Sequence, residues 1–299
     1  MIWQTEINAY KQYLQLERSL SKNSIFAYVN DVSQLADFVC KEQFIAPSQV
    51  QLQELQDYLS NLHDMGIAAS TQARFISSIR SFYKFLLLEQ MCTHNPTALL
   101  EMPKLQRKLP DVLTHDEIQD MISSVDVSQR SGHRNRAILS VLYGCGLRVS
   151  ECCSLLYSNF HIAEEYVRIT GKGSKQRLVP IHQTAIKEIS LYEEQLRTHL
   201  NIAEKNADHI FLSVRARPIS RIMVYHIVKQ AAAAAGIEKN ISPHTLRHSF
   251  ATELVKNGAN LRAVQDMLGH ASITTTEIYT HLDQQHLRAT IEKFHPLYQ

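Results

Sequence analysis

One stretch, residues 242–281, constrains this chain more than any other, because capping residues and apolar spacing divide it into three short helices. Ser242 is a favourable N-cap and Pro243 suits the first helical position, so the first helix is expected to begin there. Gly258 and Gly269 are suited to ending the first two helices. The later N-caps are Asn260 and Ser272, and the apolar stripes are Leu246, Phe250 and Leu254, then Leu261, Val264 and Leu268.

These helices, together with two turns upstream, present a distinctive set of polar side chains. They are Arg148, Lys172, His244, Arg247, His270 and Tyr279. Two arginines can hold the non-bridging oxygens of a phosphodiester by forked hydrogen bonds. Histidines and a lysine can move protons near neutral pH, and a tyrosine can act as a covalent nucleophile. No carboxylate cluster in the sequence indicates a catalytic metal, so we expect phosphoryl transfer to tyrosine with no metal and no cofactor.

The order of these motifs resembles that of a known family. An arginine in Gly-Leu-Arg-x-Ser-Glu is followed by His-x-x-Arg, by Leu-Gly-His and by a tyrosine nine residues later, as in the tyrosine recombinase (phage integrase) family. The resemblance spans almost the whole chain and points to the bacterial Xer recombinases. It implies that Tyr279 attacks the scissile phosphate and forms a 3′-phosphotyrosyl link. It assigns charge stabilisation to Arg148 and Arg247, protonation of the leaving 5′-oxygen to Lys172, acid or base assistance to His244 and phosphate orientation to His270.

Two of these residues have simpler interpretations when taken alone. Arg148 is at the spacing of a structural arginine that pairs with Glu151. Lys172, between two glycines, is also typical of a solvated turn, and Lys175 is its local rival for the catalytic role. The family context favours catalysis for Arg148 and Lys172.

The periodicity predicts a mainly α fold in two domains. Residues 1–102 have helical spacing, and the clear strands are 166–170 and 176–181, which form a hairpin. The resemblance implies a two-domain DNA clamp with an N-terminal four-helix (SAM-like) bundle and an α-rich catalytic domain containing this small β-hairpin. We place a basic linker at 103–112 and the catalytic domain, with a C-terminal oligomerisation tail, at 113–299.

A helix predicted from Ser70 to Leu88 carries a basic face opposite its apolar stripe. That face holds bases and small hydroxyls and no acid of its own, which suits a phosphate backbone, although such faces are usually only solvated. The predicted DNA-binding residues of this helix are Arg74, Ser77, Arg80, Ser81 and Lys84, with Lys104, Arg107 and Lys108 in the linker.

Composition excludes some classes of protein but does not by itself identify a function. A net charge of only +2 over 299 residues means that any basic surface must be local. Five cysteines, an odd number without Cys-x-x-Cys spacing, indicate reduced thiols in the cytoplasm. The N-terminus lacks the pattern of a signal peptide, and no apolar run reaches transmembrane length.

Several other functions share part of this pattern. A type IB topoisomerase has similar residues, but the small N-terminal bundle and the tail favour recombination. A metal-dependent hydrolase using His244 and His248 is disfavoured because no glutamate stands at position 245. A DNA-binding protein without chemistry leaves the six-residue set unexplained, whereas a mobile-element integrase would carry the same motifs.

The resemblance also implies partners. They are a double-stranded DNA recombination site, a homo- or heterotetramer with a paralogous recombinase, and an FtsK-type DNA translocase, with no membrane. The work implied is resolution of chromosome dimers at cell division, through a Holliday junction. The segment after Tyr279 is predicted to end in a helix, which either packs on its own domain or, as in the family, on a neighbouring protomer.

Overall fold

The computed structural model describes residues 2–41, 44–104, 111–171, 176–269 and 289–298. The chain divides into two compact units, residues 1–108 and 109–299, each with its own apolar core. Among the described residues, no helix has the length and apolar character needed to cross a membrane. The predicted boundaries at 102 and 113 remain a prediction.

The N-terminal unit is a bundle of four helices. They are α1 (Ile2–Leu16), α2 (Lys22–Val39), α3 (Leu52–Asp64) and α4 (Ala69–Leu88). Helix α4 packs against all three of the others, and its predicted apolar stripe is buried. Aromatic rings fill the space between α1 and α4, where Tyr10 lies edge-on to Phe82 at 5.3 Å and Trp3 stacks on the same ring at 5.9 Å.

The C-terminal unit has helices arranged around one buried helix and a small sheet. The helices are α5 (His115–Ser123), α6 (Gly132–Gly144), α7 (Val149–Cys153), α8 (Gln183–Gln195), α9 (Arg221–Ala234), α10 (Pro243–Lys256) and α11 (Leu261–Leu268). Helix α6 is buried almost throughout its last two turns and packs against α5, α7, α8, α9 and α10. The helical architecture predicted from the sequence is confirmed for both units.

The sheet contains three antiparallel strands, β1 (Phe160–His161), β2 (Tyr166–Thr170) and β3 (Gln176–Pro180), in the order β1-β2-β3. The predicted hairpin of β2 and β3 is confirmed, and Ile169 lies opposite Arg177 in its register. The short strand β1 was not predicted. Both candidate lysines of the hairpin tip, at positions 172 and 175, lie outside the described residues.

Local capping follows the sequence closely. The Ser242 hydroxyl accepts from the Thr245 amide at the start of α10, and the Asn260 side chain accepts from the Arg262 amide at the start of α11. Gly269 ends α11 in the left-handed conformation at φ 63°. The helix predicted after Ser272 lies outside the described residues.

The last described segment is helical over residues 289–294 and packs on its own unit. Ile291 is fully buried, and the Asn257 amide at the end of α10 donates to the Phe294 carbonyl at 2.8 Å. The His295 ring follows, 4.9 Å from the ring of Tyr143 and 5.2 Å from that of Phe250. The first of the two predicted placements of this helix is therefore present in the single chain.

Candidate active site

Glu151 lies at the centre of the site. It stands in the first turn of α7, and its carboxylate accepts the backbone N–H of Arg148, the N-cap residue, at 2.8 Å. The capping arrangement buries the side chain, which is only 3% exposed. A buried carboxylate needs partners, and three arginines from three different segments provide them.

Arg148 bridges two parts of the site. Its Nη1 donates to Glu151 Oε1 at 2.8 Å, and its Nη2 donates to the carbonyl of Gly269 at 3.0 Å. The structural pairing expected of an isolated arginine is thus present. The side chain is nevertheless 39% exposed, so part of the guanidinium remains available to a ligand in solvent.

Arg247 approaches the same carboxylate from α10. Its Nη1 donates to the Gly146 carbonyl at 2.7 Å and its Nη2 donates to the Leu268 carbonyl, while Nη1 lies 3.8 Å from Glu151 Oε2. Burial lowers the pKa of this arginine to about 10, and the neighbouring charges of Arg148 and Arg177 contribute to the decrease. The group remains a cation at neutral pH and is only weakly paired with Glu151.

Arg177, which the sequence analysis did not single out, provides the strongest link to Glu151. Its Nη1 and Nη2 each donate to one carboxylate oxygen at 2.8 Å, and its Nε donates to the Met267 carbonyl at 2.7 Å. The side chain is buried on β3. The signal that could have found it is the strand alternation, which places position 177 on the same inward face as Val179.

Two glycines allow these groups to approach. Gly146, at φ 57°, lies against the ring of Phe250, and a Cβ there would come within 2.5 Å of a ring carbon. Gly269 lies against Arg177, and a Cβ there would come within 3.1 Å of its Cδ. A side chain at position 146 would press on the Phe250 ring, and one at position 269 would press on Arg177 itself.

The electrostatics of the cluster leave a surplus of positive charge. Burial alone would raise the pKa of Glu151, but the hydrogen bonds and charge of Arg177, followed by those of Arg148, hold it at about 2. The carboxylate is therefore ionised at neutral pH. Three guanidinium cations surround one carboxylate, which gives the cluster a net charge of +2. Such a cluster is suited to an anion with two available oxygens.

The remaining predicted site residues are placed only in part. His244 is exposed on the first turn of α10, one helical turn before Arg247. Lys172, His270 and Tyr279 lie outside the described residues. The chain does bring the residue before His270 to the cluster, because the Gly269 carbonyl accepts from Arg148.

Comparisons with known proteins show the family of the chain. The phage integrase family model matches residues 111–286, and that of the phage integrase N-terminal SAM-like domain matches residues 7–90. The tyrosine recombinase XerD of Staphylococcus aureus is 40% identical over 293 residues, which cover 98% of this chain and 99% of that protein. The chain belongs to the phage integrase family.

The recombinase is thus an enzyme of the tyrosine recombinase class, whose members cut and join DNA without metal or ATP. Within the Xer group, the ending Phe-His-Pro and the Leu-Arg pair after the tyrosine segment favour XerD, whereas Thr-His-Leu-Asp resembles XerC as much, and the sequence leans to XerD. The 40% identity to a XerD protein confirms that preference.

Two solved structures share the fold. A pre-cleavage complex of the XerH site-specific recombinase with difH substrate is 22% identical, with a TM-score of 0.68 and coverage of 97% of this chain and 94% of that chain. A lambda integrase dimer bound to a COC′ core site is 20% identical, with a TM-score of 0.70 and coverage of 93% and 100%. The shared feature is the succession of an N-terminal helical unit and an α-rich catalytic unit.

The predicted DNA-binding face of α4 in the recombinase contains partners that the sequence did not reveal. Arg74 donates to both oxygens of the fully buried Asp31 of α2, which also accepts from Ser78 Oγ at 2.6 Å. A buried acid of a neighbouring helix therefore lies beneath this face and pairs with Arg74. Arg80 donates to the Leu100 carbonyl.

The other residues of this face make fewer contacts with the rest of the unit. Lys84 and Ser77 are exposed, Ser81 is half-buried, and the Ser77 hydroxyl donates only to the Ala73 carbonyl of its own helix. In the predicted linker, Lys104 is exposed, while Arg107 and Lys108 lie outside the described residues. DNA contact by these residues remains a prediction. On α4, Arg74 and Arg80 each donate to a protein oxygen, whereas Lys84 is exposed.

Proposed function

We propose that this recombinase resolves chromosome dimers at cell division, by cutting and rejoining two DNA duplexes through a 3′-phosphotyrosyl intermediate and a Holliday junction. The observation that carries the proposal is the convergence of Arg148 and Arg247 on one buried carboxylate with a surplus of positive charge. Near full-length identity of 40% to a XerD protein supports the choice of reaction.

The chemistry proceeds by transesterification. The Tyr279 hydroxyl attacks the scissile phosphorus, the bond to the 5′-oxygen breaks, and the tyrosine oxygen becomes linked to the 3′-phosphate. Arg148 and Arg247 stabilise the charge that develops on the non-bridging oxygens. Lys172 donates a proton to the departing 5′-oxygen, His244 assists as acid or base, and His270 orients the phosphate.

Religation reverses this step on the partner duplex. A 5′-hydroxyl from the other DNA attacks the phosphotyrosyl bond and releases Tyr279, so the energy of the phosphodiester is retained. This conservation explains why such chemistry requires no nucleotide cofactor. Two rounds of exchange pass through the Holliday junction.

The proposed assembly is a tetramer on double-stranded DNA, formed by this chain alone or with a paralogous recombinase, and acting in the cytoplasm. The N-terminal unit and the catalytic unit grip the recombination site as a clamp, and an FtsK-type translocase controls the timing. The helix at 289–294 packs on its own unit in the single chain, and we propose that it transfers to a neighbouring protomer in the tetramer.

The proposal is tested by trapping the covalent intermediate. The full chain first selects its binding site from a random-sequence duplex library, and that site is then prepared with a nick whose flanking fragment is lost on cleavage. In the presence of EDTA, we expect a covalent protein–DNA band from the natural protein and none from Tyr279→Phe. A band from Tyr279→Phe of equal intensity would contradict the assignment of the nucleophile. Recombination of two such sites in a chromosome-dimer assay tests the cellular role.

A further inference from the structure

One buried side chain connects three segments that carry the proposed catalytic residues. Arg177 belongs to β3, which follows the hairpin tip at Lys172. Its Nη1 and Nη2 donate to the carboxylate of Glu151, the partner of Arg148. Its Nε donates to the Met267 carbonyl near the end of α11. Its aliphatic part packs beneath Gly269, the residue that precedes His270.

We propose that Arg177 is a positioning residue for the recombination reaction, which sets the geometry of Arg148 and the Gly269 turn through Glu151 and Met267. Arg177 is buried and does not itself reach the phosphate. The inference rests on the proposed function, because it gives the reacting phosphate to Arg148 and Arg247.

The distribution of donors around Glu151 explains how the positioning works. Each carboxylate oxygen accepts one hydrogen bond from Arg177. Oε1 accepts a second from the Arg148 guanidinium, and Oε2 accepts a second from the Arg148 backbone N–H. Arg247 is left at 3.8 Å and directs its N–H groups to two carbonyls. Without Arg177, the carboxylate would be free to bind Arg247 more closely. The charge available to the phosphate would then decrease.

A lysine can replace only part of this arrangement. Its single ammonium keeps the positive charge next to Glu151, but it cannot bridge both oxygens in one plane while donating to the Met267 carbonyl. A methionine fills a similar volume and provides neither charge nor donor. The two substitutions therefore separate the contribution of the positive charge from that of the bidentate hydrogen bonds of the guanidinium.

The experiment uses the full chain on the nicked site described above, under single-turnover conditions with DNA saturated by protein. Displacement of the reacting groups by about 1 Å costs on the order of 100-fold in rate, so we expect Arg177→Met to form the covalent adduct about 100-fold more slowly. We expect the Kd for DNA to stay unchanged and Arg177→Lys to restore part of the rate. The matched control is Arg134→Met. Arg134 is another buried arginine of the same unit, which contacts Asn135 and the Leu212 carbonyl instead of the cluster.

A pH profile provides a readout that general destabilisation would not produce. Among the described residues, the charged groups that face Glu151 are Arg148 at the N-cap of α7, Arg177 from β3 and Arg247 from α10. Removing one of them raises the pKa of this buried carboxyl. Protonation of Glu151 releases Arg247, so the rate deficit of Arg177→Met should decrease as the pH falls from 7 to 5, whereas Arg134→Met should keep a constant ratio to the natural protein.

Each outcome decides the proposal. A slow, pH-sensitive Arg177→Met with normal DNA affinity supports it, whereas adduct formation at the natural rate, or a deficit equal to that of Arg134→Met, overturns it. If Arg177→Met does not fold by circular dichroism, Arg177→Lys decides by the same rate and pH criteria. Absence of adduct from the natural protein on DNA that it binds, both alone and with a paralogous recombinase added, would instead contradict the proposed function.

Discussion

Each unit of the recombinase contains a buried carboxylate that holds arginine from another element, and the two centres differ in their balance of charge. In the N-terminal unit, Asp31 of α2 receives Arg74 and Ser78 from α4. In the catalytic unit, Glu151 faces Arg148, Arg177 and Arg247. The first centre contains one cation for one anion, and the second contains three cations for one anion.

The difference indicates separate roles for the two centres. At Asp31 the charges cancel, and the Arg74 guanidinium also lies over the Phe75 ring at 4.9 Å, so the pair fastens two helices. At Glu151 the carboxylate balances one of three positive charges, and the surplus of two is what we propose for the phosphate. The number of arginines that share one carboxylate therefore decides whether positive charge is left over for a ligand.

The largest expected effect follows from removing the surplus charge. Arg148→Ala or Arg247→Ala should slow covalent adduct formation by about 100- to 1,000-fold, because each removes a donor to the charge that develops on the phosphate. DNA affinity should change little, since both residues lie outside the predicted binding face. The measurement is single-turnover cleavage per bound complex. A variant that lost DNA binding but cleaved normally once bound would contradict the assignment.

The same chemical change at the two carboxylates should have unequal effects on stability. Glu151→Gln leaves Arg177 buried without a counter-charge and should cost about 3–5 kcal/mol. Asp31→Asn should cost about 1–3 kcal/mol, because the Arg74 side chain is 43% exposed and can turn to water. Hydrogen exchange measures the opening free energy separately for α7 with β3 and for α2 with α4. A larger loss at Asp31 would contradict the comparison.

His295 is another buried ionisable group of the catalytic unit. Burial lowers its pKa from 6.5 to about 3, and the charges of His115 and His182 contribute in the same direction. The folded state excludes a proton that the unfolded state binds, so stability is lost as the pH falls from 6.5 toward 3. At pH 5 the loss is about 2 kcal/mol.

His295→Phe keeps an aromatic ring against Tyr143 and Phe250, and should flatten the decrease in stability between pH 6.5 and pH 5. Thermal unfolding of the catalytic unit across this range measures the slope. The matched control is His226→Phe on α9, an exposed histidine, which should leave the slope unchanged. Equal slopes for His295→Phe and the natural protein would show that His295 is not the responsible group.

The smallest expected effect concerns the DNA-binding face of α4. Lys84→Ala should reduce the slope of log affinity against log salt by about one, because it removes an exposed cation. Arg74→Ala should change this slope less and should mainly destabilise the N-terminal unit, since its charge is paired with Asp31. Fluorescence anisotropy at several salt concentrations provides both slopes. A larger change for Arg74→Ala would show that the Asp31 pair opens on DNA.

The sequence was most informative where structure depends on near neighbours. Ser242, Asn260 and Gly269 predicted the limits of α10 and α11 because caps and left-handed turns are local. The motif arginines Arg148 and Arg247 could be assigned through the family pattern. Arg177 and Asp31 could not, because their partners are 26 and 43 residues away and depend on strand register and helix packing.

We propose that Arg148 and Arg247 supply charge to the scissile phosphate while Arg74 supplies none. A substrate with a neutral methylphosphonate at the scissile position tests it most directly, because the substrate then carries less charge for the arginines to stabilise. We expect this substrate to restore much of the cleavage rate lost in Arg148→Ala or Arg247→Ala, relative to the natural phosphate. The cleavage rate of Arg74→Ala relative to the natural protein should be the same on both substrates. Failure of either active-site variant to respond, or an equal response from Arg74→Ala, would contradict the account.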